Sequence, residues 1–591
     1  MKSPFLKQLA PVLACAAFTL CTAQAKTWYV DPVRGQDSAA GTKDAPWQSF
    51  EPVNKLTLKA GDKVVVHPGK LTASLAPKGG GSAKEPVTIT FRPGTYEWEP
   101  AKLTRRKLAI SNTSDRIHED KVIGMELDGL KHVAIKGKDS LFLCHGKMVQ
   151  IHMLNCKDIR LSGLEHDYVR PTVNEYTAVE VTPEYADFQI HKDSTYTVQG
   201  GNLTWQGEGW TMRGNEGWVQ TVAPDRKRAN RGGPFLQQGR IEELEPGKIR
   251  VRYDKNPGYK EGATYWQLVY TRDCCGVFCD SSSGISYKDM TFRFMHGMGI
   301  VSQFTKDISF KNLVVEPRKD SGRTSAAWAD ILHFSGCSGQ INVEDCLLSS
   351  ANDDAINVHG THLRITKIVD DRHLVVRFMH RQTFNFNAFR PGDEVQYTAD
   401  DTLLSLGTGK VKAAKLSGDG KEMELEMEQP VPAGITEGKV VLENVTATPA
   451  VTVRNTMVRM ITTRGFLFTT RRKIVLDNVY FDRTGMPALL MEDDCDGWYE
   501  SGPVQDMTVK NCTFDHCAEP VLDFNPHVHK HGGPVHGNIT VTGNRFIMNN
   551  DCVLHTKSTA NLLFKDNKVE LPGGKKMQVR QENSENIQVQ E

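Results

Sequence analysis

Two neighbouring stretches constrain this chain more than any other part of it. Asp330-Ile331-Leu332-His333-Phe334-Ser335-Gly336 and Asp354-Ala355-Ile356-Asn357-Val358-His359-Gly360 each open on Asp, carry apolar residues two and four positions on, and close on Gly. The offset is 24 residues between the aspartates and again 24 between the glycines. Such a period, with strand-like alternation inside it, is one coil of a parallel β-helix. Stacked coils lie about 4.8 Å apart. Asp330 and Asp354 therefore become neighbours, with Asp353 a little to one side. Three carboxylates on one wall repel one another, and hydrolysis of a glycosidic bond is the chemistry that uses such a group.

The period extends well beyond these two coils. An Asp or Asn with an apolar residue three positions on recurs at Asp289, Asn312, Asp345, Asn455, Asn478, Asn511 and Asp566. Some steps are 23 residues (289 to 312, 455 to 478) and others 33 (312 to 345, 478 to 511), one coil plus a loop. Each unit reads as strand, polar turn, strand. None buries its apolar face alone, whereas stacked units share one core. The expected fold is all-β: a right-handed parallel β-helix with two small inserted β-domains. The insertions fall where the period lapses, over residues 170–270, rich in Trp, Gly and Thr, and over residues 365–448, with Arg390-Pro391-Gly392-Asp393 and a barrel-like strand pattern. Residues 26–169 then form an amino-terminal cap and the first coils, 271–364 the coils with the aspartates, and 449–591 the last coils.

With 591 residues, 72 Lys and Arg against 71 Asp and Glu, the chain is large and nearly neutral. That balance argues against nucleic acid as a partner. Lys2 and Lys7, an apolar run from Leu9 to Leu20 and Ala23-Gln24-Ala25 read as a signal peptide over residues 1–25, so the protein is expected to be exported, periplasmic or secreted. No later apolar run is long enough to span a membrane. Cys15 and Cys21 leave with the signal; Cys156, Cys346 and Cys512, each after an Asn or Asp, read as small core residues rather than half-cystines. The cluster Cys274, Cys275 and Cys279 has no second ligand pair at zinc spacing and reads as structural.

The carboxylates suggest roles. Asp330 and Asp354, one rung apart, suit a shared water. Asp353 is the best acid, since two ionised neighbours favour its protonated form. The three titrate as a coupled set. Nine residues after the repeat positions come Met298, Asp354 and Arg464, which places Arg464 one rung beyond Asp354. Alternation turns Asn357 and His359, with His333 on the preceding coil, to the outer face and Ile356 and Val358 to the core. Strict alternation would also bury Asp354 in the core; a turn at the strand entrance relieves this. His333, Asn357, His359 and Arg464 are thus candidate substrate contacts. A second acidic run, Glu492, Asp493, Asp494 and Asp496 followed by Trp498, reads either as a solvated loop or as a sugar subsite with Trp498 as platform, and calcium there is left open.

The Asp330 segment, the Asn352-Asp353-Asp354 segment, the opening Trp28-Tyr29-Val30-Asp31-Pro32 and the two β insertions together resemble the α-1,3-galactosidases of glycoside hydrolase family 110. The resemblance implies an exo-acting β-helix hydrolase that removes terminal α-1,3-linked galactose, as in the blood group B determinant; members differ in whether they also accept linear α-1,3-galactosides, and no residue here decides it. It implies inversion, no metal or other cofactor, Asp353 as acid and Asp330 and Asp354 as bases. Two other readings remain. One is a polygalacturonase-like hydrolase of acidic polysaccharide, whose usual Gly-His-Gly is replaced here by Asn357-Val358-His359-Gly360. The other is a non-catalytic glycan-binding solenoid, which has no need of three crowded acids.

Overall fold

The computed structural model of the chain describes residues 24–590. The export segment expected over residues 1–25 lies, but for its last two residues, outside them. The chain winds as a parallel β-helix whose coils stack along three tracks of strands. One track runs through Ser283–Lys288, Lys306–Lys311, Ser338–Glu344, Ala450–Arg454, Ile474–Asp477 and Met507–Lys510. Apart from a bulge between Lys306 and Ile308, register within it is kept: Ile285, Ile308, Ile341, Val451, Ile474, Met507, Ile539 and Leu562 are successive partners on successive coils. Each such side chain is fully or almost fully buried, and burial of one aliphatic side chain contributes about 1.5–3 kcal/mol. The second track stacks Phe481, Phe514 and Phe546 face to face, 5.0 and 4.7 Å between ring centres.

The turn between these two tracks explains the Asp/Asn repeat. Asp289, Asn312, Asp345, Asn455, Asn478, Asn511 and Asp566 all take positive φ, between 48° and 56°. Asn and Asp tolerate that left-handed conformation better than other residues with a side chain. Their side chains also bond from coil to coil: Asn312 Nδ2 donates to Asp289 Oδ1 (2.8 Å), Asn455 to Asp345 (3.0 Å) and Asn478 to Asn455 (2.9 Å). Asp345 and Asn455 are adjacent rungs although 110 residues separate them. The chain between leaves the solenoid and returns in register.

Those excursions are antiparallel. The first holds a seven-stranded sheet from Val173–Val181 to Thr264–Leu268 and a three-stranded one over 195–213, around a core that includes Tyr176, Phe188, Trp205 and Tyr265. The second closes a six-stranded barrel from Leu363–Ile368 to Val440–Asn444, filled by residues such as Phe378, Phe389, Tyr397 and Leu425. At the amino end, Thr27–Val30 pairs with Lys63–Val66, and Phe50, just before the helix Glu51–Lys55, packs on Phe91 and Trp98. The eleven cysteines from Cys144 to Cys552 are buried and unpaired. No helix among the described residues is long and apolar enough to cross a membrane.

Candidate active site

The third track carries the aspartates. Its strands Met298–Gln303, Leu332–Ser335, Ile356–Thr361 and Phe466–Phe468 pair in parallel, with Ile300, Leu332, Ile356 and Phe466 in one column. Two residues before each column position stand Met298, Asp330, Asp354 and Arg464. Asp330 and Asp354 precede their strands and lie in the turns that enter them, which frees Asp354 from the alternation that would have pointed it into the core. Close approach of the coils is needed here: Gly299 N donates to Asp330 O at 2.9 Å, and a Cβ at Gly299 would lie 2.4 Å from that oxygen.

The three carboxyl groups meet, with one oxygen of each within 4.8 Å of the others, yet they are held differently. Asp354 is fully buried. Its Oδ1 accepts from Thr463 Oγ1 (2.7 Å), Arg464 N (3.2 Å) and Arg464 Nε (2.8 Å), and its Oδ2 from Arg464 Nη2 (2.7 Å). Burial pushes its pKa up to about 7, against the pull of the Arg464 charge. Four donors on one carboxyl are the surroundings of an ionised group. Asp330 Oδ2 lies 2.8 Å from His333 Nδ1, and Oδ1 accepts from Asp354 N at 3.3 Å. Burial and then the neighbouring Asp353 push Asp330 up to about 8. Asp353 is the free member: its Oδ1 has no hydrogen-bond partner, and Arg272 and Arg464 each stand 3.8 Å away.

These groups line a small pocket of about 80 Å³ with Asn112, Arg231, Asn357, Leu467, Glu492, Asp494, Trp498 and Glu500. Of the residues expected to contact substrate, Asn357, Arg464, Glu492 and Trp498 border it. His333 and His359 do not: they are 0% and 1% exposed. The outer face on which alternation puts them is covered, because Ser501 pairs across Gly360 and Asn112 Nδ2 donates to Glu500 Oε1 (2.9 Å) above it. Trp498 is partly exposed, with His380 at 4.0 Å between ring centres and Arg272 5.2 Å over its ring. Arg272 is braced by Gln382, whose Oε1 accepts from Nη2 at 3.0 Å, and its backbone N donates to Asp115 at 2.9 Å. Glu500 is held below the usual carboxylate range by His359 and His333 in spite of its burial.

The acidic run from Glu492 proves to be a loop organiser. Asp494 accepts backbone N–H bonds from Asp496 and Gly497 (both 2.8 Å), Trp498 and Tyr499. That nest of amides sets Trp498 and Glu500 at the pocket. Asp493 is buried beneath. His527 donates to Glu492 at 2.8 Å, and its bonds to Asp494 and Glu492 hold its pKa up at about 10. Sequence reasoning missed Asn112, Arg231, Arg272 and Glu500, each outside the repeat; the Asn112 φ of 59° belongs to a loop with no periodic signal.

A larger cavity, about 1080 Å³, opens between the first inserted domain and the amino-terminal coils. Several of its acids are matched by basic side chains: Asp273 with Lys147 (3.0 Å) and Glu119 with Arg116 (3.0 Å) pair with cations, and Glu208 lies 2.6 Å from His145 Nδ1. Crowded, unequally held carboxyls occur in the small pocket, the kind of arrangement that acid–base chemistry uses, which makes it the candidate site.

Comparison with known proteins identifies the inserted domains and the family. The family models for GLAA-B beta-barrel domain I and GLAA-B beta-barrel domain II match residues 175–264 and 373–441, the two excursions from the solenoid. A protein of Akkermansia muciniphila named Alpha-1,3-galactosidase A is 41% identical over 563 residues, 94% of each chain. One of the same name from Bacteroides thetaiotaomicron is 35% identical over 82% of this chain and 86% of its own. An Alpha-1,3-galactosidase B of Akkermansia muciniphila is 30% identical over 80% of this chain and 61% of its own. With that identity along nearly its whole length, the chain belongs to the alpha-1,3-galactosidase family of glycoside hydrolases.

Proposed function

We propose that the enzyme removes terminal α-1,3-linked galactose, from branched blood-group-B-type glycans and linear α-1,3-galactosides, with inversion at the anomeric carbon. The observation that carries this reading is the unequal anchoring of the three acids. Asp354, tied by four donors, and Asp330, tied to His333, are fixed together on the floor and hold a water between them. Asp353 alone has an unpartnered oxygen in the pocket and meets the leaving oxygen. Arg464 and Arg272 offset the crowded charge. The small pocket, about 80 Å³ and closed in by Trp498, Glu500 and Asn112, supports attack at a chain end. Its lining holds Asp330, Asp353, Asp354, Glu492, Asp494 and Glu500 against Arg231, Arg272 and Arg464, a balance that disfavours a uronic acid.

One observation favours a second reading. Oxygens within 4.8 Å of one another are nearer the separation of retaining pairs, about 5–5.5 Å, than that of inverting ones, about 6.5–9.5 Å. Retention, however, would use the one free carboxylate, Asp353, as nucleophile and leave the proton for the leaving oxygen to Asp330 or Asp354, both of which are clamped. Proton NMR of the anomeric signal in early turnover of Galα1-3Gal separates the two: β-galactose appears first under inversion, and α-galactose first would overturn it. Asp353→Asn is expected to lose about 10²–10⁴-fold on the disaccharide and much less on an aryl galactoside, whose leaving group hardly needs a proton. The reading includes export from the cell through the amino-terminal segment; activity confined to the cytosol on fractionation would remove that part.

A further inference from the structure

We infer that His333 and His359 form a proton relay behind Asp330, which makes them the positioning residues that let this acid work as a base. The inference rests on the hydrolytic reading above. Asp330 Oδ2 stands 2.8 Å from His333 Nδ1, His333 Nε2 stands 3.0 Å from His359 Nε2, and His359 Nδ1 stands 2.7 Å from Gly360 O. All three side chains are buried, so water does not compete for these bonds.

The far end decides the protonation pattern. A carbonyl oxygen only accepts, so His359 Nδ1 carries a hydrogen. One hydrogen then lies between the two Nε2 atoms and one between Asp330 Oδ2 and His333 Nδ1. With both imidazoles neutral, His359 Nε2 accepts from His333 Nε2, His333 Nδ1 is bare, and Asp330 must be the carboxylic acid that donates to it. Move that proton to His333 Nδ1 and Asp330 becomes a carboxylate beside an imidazolium. Move the next hydrogen on to His359 Nε2 and the charge sits 3.6 Å from Glu500 Oε1, an ionised partner. One proton thus has three stations, and no heavy atom needs to shift.

A protonated Asp330 cannot activate water. Burial and Asp353 push this carboxyl up to about 8, while burial and then His359 hold the His333 imidazole well below its ordinary range, so at rest the proton sits on Asp330 and its way out is the ring that Oδ2 meets, His333. Asp330, His359, Glu500, Arg272 and Asp353 are the charged or titratable groups that face His333. The reactive form is the minor one, in which the shared proton has moved off Asp330 onto the imidazoles, drawn toward the ionised Glu500. Attack then forms the bond from water oxygen to the anomeric carbon, breaks the bond to the leaving oxygen, passes one water proton to Asp330 and delivers the Asp353 proton to the leaving group. The surplus proton on the Asp330 side returns to Asp353 through solvent before the next turnover.

The test uses the full-length enzyme and p-nitrophenyl α-galactoside, with wild-type release of galactose from Galα1-3Gal measured first. His333→Gln is expected to lower kcat about 10²-fold at neutral pH, to move the acid limb of the kcat profile up by a pH unit or more, and to leave KM within threefold. His359→Gln, whose amide can still accept from His333 and donate to Gly360, should keep at least a tenth of the activity, while His359→Leu should resemble His333→Gln. A loss uniform across pH, or a raised KM with kcat held, overturns the relay. Nitrogen-15 NMR of the imidazoles in the wild-type protein reads the same chain without a substitution: His359 must be protonated at Nδ1, and His333 signals must move in Asp330→Asn. A bare His359 Nδ1 also overturns it. If wild-type enzyme releases no galactose, the hydrolytic reading fails, and the NMR still judges the hydrogen-bond chain by itself.

Discussion

The floor and the rim of the pocket are built by opposite rules. The floor comes from consecutive coils: Asp330, Asp354 and Arg464 occupy the same position on three stacked rungs, and the β-ladder holds them in register. The rim comes from excursions. Arg231 arrives from the first inserted domain, His380 and Gln382 from the barrel, Trp498 and Glu500 from the loop that Asp494 gathers, and Asn112 from the amino-terminal coils. Repetition therefore places the charges that must not move, and irregular chain decides what reaches them. Substitutions in the two regions should differ in kind as well as size: floor changes should strike the rate and the stability together, and rim changes should strike recognition.

The largest effect is expected at Arg464. Its guanidinium makes two of the four bonds to the buried Asp354 carboxylate and its backbone N makes another. Arg464→Met leaves a buried charge without its partner, which costs about 3–5 kcal/mol, and removes the positive charge that keeps Asp354 ionised. Activity on an aryl galactoside should fall at least 10²-fold and the melting temperature should drop. Adding Asp354→Asn should restore the melting temperature without restoring activity. Full activity in Arg464→Met would dissolve the distinction between floor and rim.

This contrast also marks what the sequence made legible. The 24-residue offset and the Asn/Asp positions translate directly into rungs and left-handed turns, so Asp330, Asp354 and Arg464 could be stacked without coordinates. Asp353 followed from its place beside Asp354. The rim obeys no period. Arg272 reaches Asp353 from 81 residues earlier in the chain, and nothing in its local sequence marks it. The histidines show the limit from the other side. Alternation put His333 and His359 on the outer face, but residues around Asn112 and Glu500–Ser501 fold over that face, so an outward side chain became a buried one. Periodicity predicts direction along a coil; it cannot predict what an insertion will cover.

A middle effect is expected at Trp498. Its ring lies against both Arg272 and His380, while part of it stays exposed at the pocket. Trp498→Ala should raise KM about tenfold through lost sugar contact and lower kcat by a smaller factor through a loosened Arg272, with little change in melting temperature. Steady-state kinetics on the disaccharide read both. A drop in kcat of the size seen for Arg464 would mean that this rim residue belongs with the floor.

The smallest effect should come from Arg231, and it sharpens the comparison most. Arg231 is exposed and borders the pocket from the short strand Ala229–Arg231 of the first inserted domain. The other two arginines of the pocket are engaged with carboxylates, whereas Arg231 is expected to meet the sugar next to the terminal galactose. A single surface guanidinium contributes about 1 kcal/mol or less when it bonds a solvated group, which corresponds to a few-fold change in affinity. Arg231→Ala is therefore expected to raise KM two- to fivefold on the branched trisaccharide, to leave the aryl galactoside kinetics and the melting temperature unchanged, and to hold kcat on both. Equal effects on the two substrates would place Arg231 against the galactose itself and make the rim a part of the catalytic pocket rather than its gate.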